Sequence, residues 1–272
     1  AMNGTRVVIA PDRDQLTALV ADKFVVRARK TLERTGAFRI VLTGGRLGTD
    51  VLRAIAAHPT TPTLDWSKVS VFWGDERFVA QGDEQRNDDQ AQDALLATLP
   101  QTPGRLVRFP AASAETRLDE AEKTAREQIL AEGDAGQWPE FDLALLGMGP
   151  DGHVLSVFPG TDLARAESPD VAAVWHSPKP PTERLTMTIP LVNRSQRVWV
   201  VVSGAEKAAA LGLALAGAAT AEVPAAGVRG MVSTKIFADQ ELASMLPDEL
   251  VRDERFWSAE DERADYVPKA LR

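Results

Sequence analysis

The stretch from Phe141 to His153, FDLALLGMGPDGH, decides the fold. Its first half, Phe141–Leu146, is a short run that is apolar at nearly every position rather than at every second one. A strand of that kind is covered on both faces, which is the signature of a parallel sheet between helical layers. Its second half is a turn rich in glycine and proline that follows the carboxyl end of the strand directly.

The same grammar repeats on either side. Arg6–Ala10, Arg39–Thr43, Lys68–Trp73, Arg105–Phe109, Arg184–Ile189, Arg197–Val202 and Ser233–Phe237 read as strands. Helical patterns fill the gaps: Asp12 to about Thr35, closed by Gly36; about Gly48 to Ala57; Asn87–Leu99, with Asn87 as a cap; Ala114–Glu132; and an Ala-rich helix after Gly204. Strands alternating with helices predict an α/β fold of three layers, α/β/α, with a Rossmann-like, mostly parallel sheet. Ligands of such sheets bind beyond the carboxyl ends of the strands. Four strands here run into glycine: Gly44-Gly45, Gly74, Gly147 and Gly204. That places the candidate site on one edge of the sheet. No linker or composition shift interrupts residues 1–247, which are expected to form one domain. Residues 248–272 read as a charged C-terminal extension carrying Phe256, Trp257 and Tyr266, and the repeat of DERF at Asp253–Phe256 as chance.

The 31 Lys and Arg against 39 Asp and Glu give a net charge of −8. An acidic surface repels phosphate backbones, so nucleic acid is not an expected partner. A small anion is still compatible, because a few cations suffice to make one positive pocket. The chain has no cysteine, which removes thiol nucleophiles, thiolate metal sites and disulfides together. No apolar run reaches the ~18 residues of a membrane helix, and no secretory leader is read at the N-terminus; the expected compartment is the cytoplasm.

Imidazole chemistry has three candidates, His58, His153 and His176. His58 ends a helix, where it suits the dipole, and His176 reads as structural. His153 stands in the glycine-rich turn with Asp151 two residues before it. A free imidazole titrates near pH 6.5 and so can take a proton from water at neutral pH; Asp151 would orient it. Gly147, Gly149 and Gly152 also make a formal G-x-G-x-x-G, but Pro150 and Pro159 leave no room for the long helix that a dinucleotide-binding turn needs. The turn Thr43–Thr49 (TGGRLGT) suits a phosphate through its backbone N–H groups. Trp73–Phe78 (WGDERF) brings Arg77 to the same edge, and Lys179, Arg184 and Lys207 are further cations near strand ends. There is no G-x-S-x-G elbow and no H-E-x-x-H. The residues therefore indicate a metal-free, His-dependent reaction on a phosphorylated small molecule.

Taken in order, LTGG at Leu42–Gly45, WGDERFV at Trp73–Val79, Arg86-Asn87, LLGMGPDGHVLSVFPG at Leu145–Gly160, SPKPPTERLTMTIPLVN at Ser177–Asn193 and VVSGAEKA at Val201–Ala208 resemble the 6-phosphogluconolactonase family, which shares its fold with glucosamine-6-phosphate deaminases. The resemblance implies hydrolysis of 6-phospho-D-glucono-1,5-lactone in the oxidative pentose phosphate pathway. It matches His153 to the family's general base and Asp151 to its orienting partner. It places Gly44, Gly45, Arg77, Arg184 and Lys207 along the substrate and phosphate site, with Lys179 close by. It implies a sugar-phosphate lactone as the partner and a monomer or weak homo-oligomer.

The chain departs from the family pattern at Arg46 and Leu47, where small or hydroxyl residues usually stand. Thr49 could replace a lost hydroxyl contact, Arg46 could add a cation, or Arg46 could point to solvent. The related deaminases run from their His into Asn-Glu-Pro; Ser156-Val157-Phe158-Pro159 offers no such carboxylate. A sugar-phosphate sensor without turnover is the third reading, and the intact Asp151 and His153 speak against it.

Overall fold

The computed structural model describes residues 5–251. Seven strands form one wholly parallel sheet: β1 (Thr5–Ala10), β2 (Phe38–Leu42), β3 (Val69–Trp73), β5 (Arg105–Val107), β6 (Phe141–Gly147), β9 (Ser195–Val202) and β10 (Ser233–Asp239). Their order is β1-β10-β9-β6-β2-β3-β5. Helices flank it, chiefly α1 (Arg13–Thr35), α2 (Gly45–Ala57), α3 (Asn87–Ala94), α4 (Leu118–Leu130) and α6 (Ala208–Leu215). The expected α/β layering is present. The strands that run into glycine, β9, β6, β2 and β3, are consecutive in the sheet, so their turns meet at one edge.

Local chemistry accounts for the long elements. Asp12 caps α1, accepting from the Gln15 N–H at 2.8 Å, and Gly36 ends it at φ 74°. Between the caps Leu16, Val20, Phe24 and Ala28 recur at helical spacing and are buried. Strand β6 is buried at five of its seven positions, and its Phe141 meets Phe72 of β3 edge-on at 5.0 Å.

A second, antiparallel sheet sits over the glycine edge. It contains β4 (Asp75–Arg77), β7 (Val171–Val174) and β8 (Arg184–Met187), in the order β4-β8-β7. The run beginning at Arg184 thus leaves the main sheet. Gly74 joins the two sheets: its N–H donates to Leu42 O at 3.0 Å and its carbonyl accepts from the Met187 N–H at 2.7 Å. Three other boundaries differ from the sequence pattern. Helix α2 begins at Gly45, so Arg46 and Leu47 belong to its first turn. The segment after Arg86 is helical only to Ala94 and continues as a 3-10 turn, Leu96–Thr98. Helix α4 starts at Leu118. Among the described residues no helix is long and apolar enough to cross a membrane. Phe256, Trp257, Tyr266 and the second DERF lie outside the described residues.

Candidate active site

The turn after β6 holds the reactive pair. His153 Nδ1 lies 2.5 Å from Asp151 Oδ1, which also accepts the His153 backbone N–H at 3.1 Å. A carboxylate on Nδ1 fixes the tautomer with the proton there and leaves the Nε2 lone pair free. The backbone folds tightly for this: Gly149 N–H donates to His153 O, and Gly152 N–H to Gly149 O, both at 3.0 Å. A Cβ at Gly149 would collide with the His153 imidazole, so the ring position requires glycine there. The chain after Gly152 forms no α-helix before Ile189, so this glycine turn does not open onto a helix N-terminus.

Burial holds the His153 pKa below its usual 6.5, even though the hydrogen bond and charge of Asp151 pull it up; Lys179 adds to the lowering. Burial works to raise the Asp151 carboxyl, but its hydrogen bond and ion pair with His153 prevail and its pKa is lowered. Both effects favour a neutral imidazole beside an ionised carboxylate.

His153 faces an open cleft shared with the turn residues Gly44 and Gly45 and with Arg77, Arg184 and Lys207. Arg77 and Arg184 are directly opposite each other on β4 and β8. Like charges in that position repel, and an anion between them would relieve the repulsion. Arg184 is buried and held by the carbonyls of Pro181 and Lys179, each at 3.1 Å. Burial lowers its pKa, Asp75 opposes that and Arg77 reinforces it. Burial likewise pushes the Lys207 ammonium down, against the pull of Glu206. The Phe158 ring packs against both the His153 ring, at 4.6 Å, and the Arg184 guanidinium, at 5.8 Å, and so fixes their spacing. Helix α2 opens on the cleft with Gly44 as an N-cap that has no side-chain hydrogen bond, leaving its first N–H groups without that competitor.

Six of the eight site residues expected from the sequence therefore line one cleft: His153, Gly44, Gly45, Arg77, Arg184 and Lys207. Asp151 touches it through His153. Lys179 does not line the cleft; its carbonyl holds Arg184 at 3.1 Å and its ammonium charge acts on His153. His58 instead pairs with Asp22 at 2.8 Å, and His176 is exposed; neither lines the cleft. Arg46 does line it.

The sequence did not disclose the frame around these residues. Asp75 is buried in the cleft wall and accepts from Ser156 Oγ at 2.7 Å, tying the His153 turn to β4. Glu76 accepts from the N–H groups of Arg77, Asn87 and Asp88 at 2.7 to 3.0 Å, pinning Arg77 and the start of α3. Burial pushes the Glu76 carboxyl up to about 7 against the pull of Arg86. Asn87 lines the cleft and donates from Nδ2 to Asp75 O at 3.0 Å. The motif WGDERF and the pair Arg86-Asn87 mark these residues, but their contacts depend on the second sheet.

Comparison with known proteins gives the family. Residues 11–236 match the family model described as glucosamine-6-phosphate isomerases/6-phosphogluconolactonase. The chain belongs to that family. Among its relatives is the 6-phosphogluconolactonase of Mycobacterium leprae, 44% identical over 211 residues that span 76% of this chain and 85% of the relative. Another is the 6-phosphogluconolactonase of Streptomyces coelicolor, 37% identical over 250 residues, 90% of this chain and 96% of the relative. The crystal structure of 6-phosphogluconolactonase from Thermotoga maritima superposes with a TM-score of 0.74 at 27% identity, covering 87% of this chain and all of that one. Family membership accounts for the three-layer fold.

Proposed function

We propose that the chain hydrolyses 6-phospho-D-glucono-1,5-lactone to 6-phosphogluconate, with His153 as the general base. One observation carries the reading: an imidazole oriented by Asp151 opens onto a cleft walled by Arg77, Arg184 and Lys207. The family relatives named as 6-phosphogluconolactonases support the substrate. His153 Nε2 takes a proton from water as its oxygen adds to the lactone carbonyl carbon. The tetrahedral intermediate collapses with cleavage of the bond from that carbon to the ring oxygen, and the ring oxygen leaves as a hydroxyl with the proton held by His153. The acid formed ionises, so each turnover releases one proton. Arg77, Arg184 and Lys207, with the turn Gly44-Gly45, hold the phosphate, and Lys179 adds positive potential from outside the cleft. No cofactor enters this scheme.

The protein given freshly prepared lactone and, separately, glucosamine 6-phosphate should consume the first faster than its spontaneous hydrolysis and release no ammonia from the second. Ammonia release without lactone turnover would assign the deaminase branch instead.

The pKa directions fix the pH dependence. The base works only when neutral, so kcat/KM is full above the His153 pKa and falls as pH drops through it. Burial sets that midpoint below 6.5. Lys179→Gln removes a repelling charge and should move the acid limb upward, toward neutral pH. A wild-type limb centred above 7, or a limb that Lys179→Gln shifts downward, would contradict this electrostatic account.

Lys207→Ala should raise KM about 10- to 100-fold, the worth of one charged hydrogen bond to the phosphate, and change kcat little. Steady-state kinetics decide it: an unchanged KM removes Lys207 from the phosphate site.

A further inference from the structure

Beside the catalytic cleft runs a second, open groove lined by Gly45, Arg46, Thr49, Arg53, Arg77 and Gln90. Residues 46, 49 and 53 of α2 recur at helical spacing and so share one face, with the two arginines about 10 Å apart along the axis. Arg77 closes the groove from β4 and Gln90 from α3. No acidic residue lines it. Among the described residues neither Arg46 nor Arg77 is paired with a carboxylate. Arg77 spends one nitrogen on Gln85 O at 2.7 Å, and Arg53 shares Asp50 with Arg13, at 2.9 and 2.8 Å. Arg46 and Arg77 thus have no carboxylate partner and Arg53 has only a share of one, so the groove stays net positive on a chain whose net charge is −8.

We propose that this groove is a second anion site, adjacent to the position of the substrate phosphate and extending from Arg77 to Arg53, that takes a phosphate-class polyanion. The planar, multiply donating guanidinium groups suit phosphate oxygens. Thr49 Oγ1 donates to Gly45 O at 2.8 Å, so the anion-binding donors of the groove are its guanidinium groups. Arg46, the departure from the family's small or hydroxyl residue, gives the site its third cation. Gly45, Arg46 and Arg77 line groove and cleft alike, so a bound polyanion shares Arg77 with the cleft and should raise KM for an anionic substrate. That consequence rests on the lactonase reading; binding itself does not.

Arg53 lines the groove but not the cleft, and its side chain is 64% exposed, so Arg53→Gln should fold normally. Calorimetric titration with pyrophosphate at constant ionic strength tests the site on the wild type, Arg53→Gln and Lys207→Ala. Binding should weaken about fivefold or more in Arg53→Gln and stay within about twofold in Lys207→Ala. No binding at millimolar pyrophosphate overturns the proposal. So does binding untouched by Arg53→Gln, or weakened equally by both substitutions, since either outcome returns the anion to the catalytic cleft.

Discussion

His153→Ala should lower kcat for lactone hydrolysis by about 10²- to 10⁴-fold, the usual worth of a positioned base. KM should change only a few fold, because Arg77, Arg184 and Lys207 remain in place. The ring is not a keystone of the fold: it stands at the cleft wall on a turn whose shape is set by the Gly149 and Gly152 hydrogen bonds. Truncation removes the Nε2 lone pair, the Nδ1 hydrogen bond to Asp151 and the contact with Phe158. Asp151→Asn should retain the fold but also lose activity, because the neutral amide neither stabilises the imidazolium nor fixes the Nδ1 proton. Single-turnover kinetics would show both losses in the chemical step. An Ala variant as fast as the wild type would remove His153 from the reaction.

Asp88→Ala should cost about 3–5 kcal/mol of stability by breaking a buried ion pair and stranding its partner. Arg86 and Asp88 are both essentially inaccessible, and they meet twice, Nε to Oδ1 at 2.9 Å and Nη2 to Oδ2 at 2.7 Å. The same Nη2 donates to Phe109 O at 2.8 Å and lies 3.8 Å from Glu76. Burial works to lower the Arg86 pKa, but the Asp88 hydrogen bonds and the Glu76 charge raise it overall, so the guanidinium stays ionised. Without Asp88 that charge has only the more distant Glu76 and Asp89 to offset it. The melting temperature should fall by about 6–20 °C on the scaling for a chain of this size. What folds should also bind substrate less well, since Glu76, the α3 start and Arg77 share the network. A loss under 1 kcal/mol in denaturant titration would show that the network carries little of the fold.

The sequence made the main sheet legible because its strands are buried on both faces and write themselves as apolar runs such as Ile40–Leu42 and Leu143–Leu146. It did not show β4, whose three residues are Asp, Glu and Arg, each satisfied by a partner remote in sequence: Ser156 for Asp75, the α3 amides for Glu76, the Gln85 carbonyl for Arg77. It did not place Arg184–Met187 in a second sheet, because a strand buried in either sheet has the same pattern. The start of α2 was read three residues late: glycine has poor helix propensity, yet Gly45 begins the helix and puts Arg46 on the cleft rim. His153, Asp151 and the cations at strand ends were visible because glycine turns after buried strands are positioned by the fold itself. Lys179 shares a strand-end neighbourhood with Arg184, but a Pro-rich turn carries it outside the cleft, and only its charge reaches His153.

The central claim is that an acidic chain uses one imidazole and a ring of cations to hydrolyse a sugar-phosphate lactone. Proton release from fresh 6-phospho-D-glucono-1,5-lactone in weakly buffered solution measures it most directly. The release should be one proton per lactone, saturate with substrate, and rise in proportion to protein above the spontaneous rate. Release at the spontaneous rate, whatever the amount of protein added, would contradict the account.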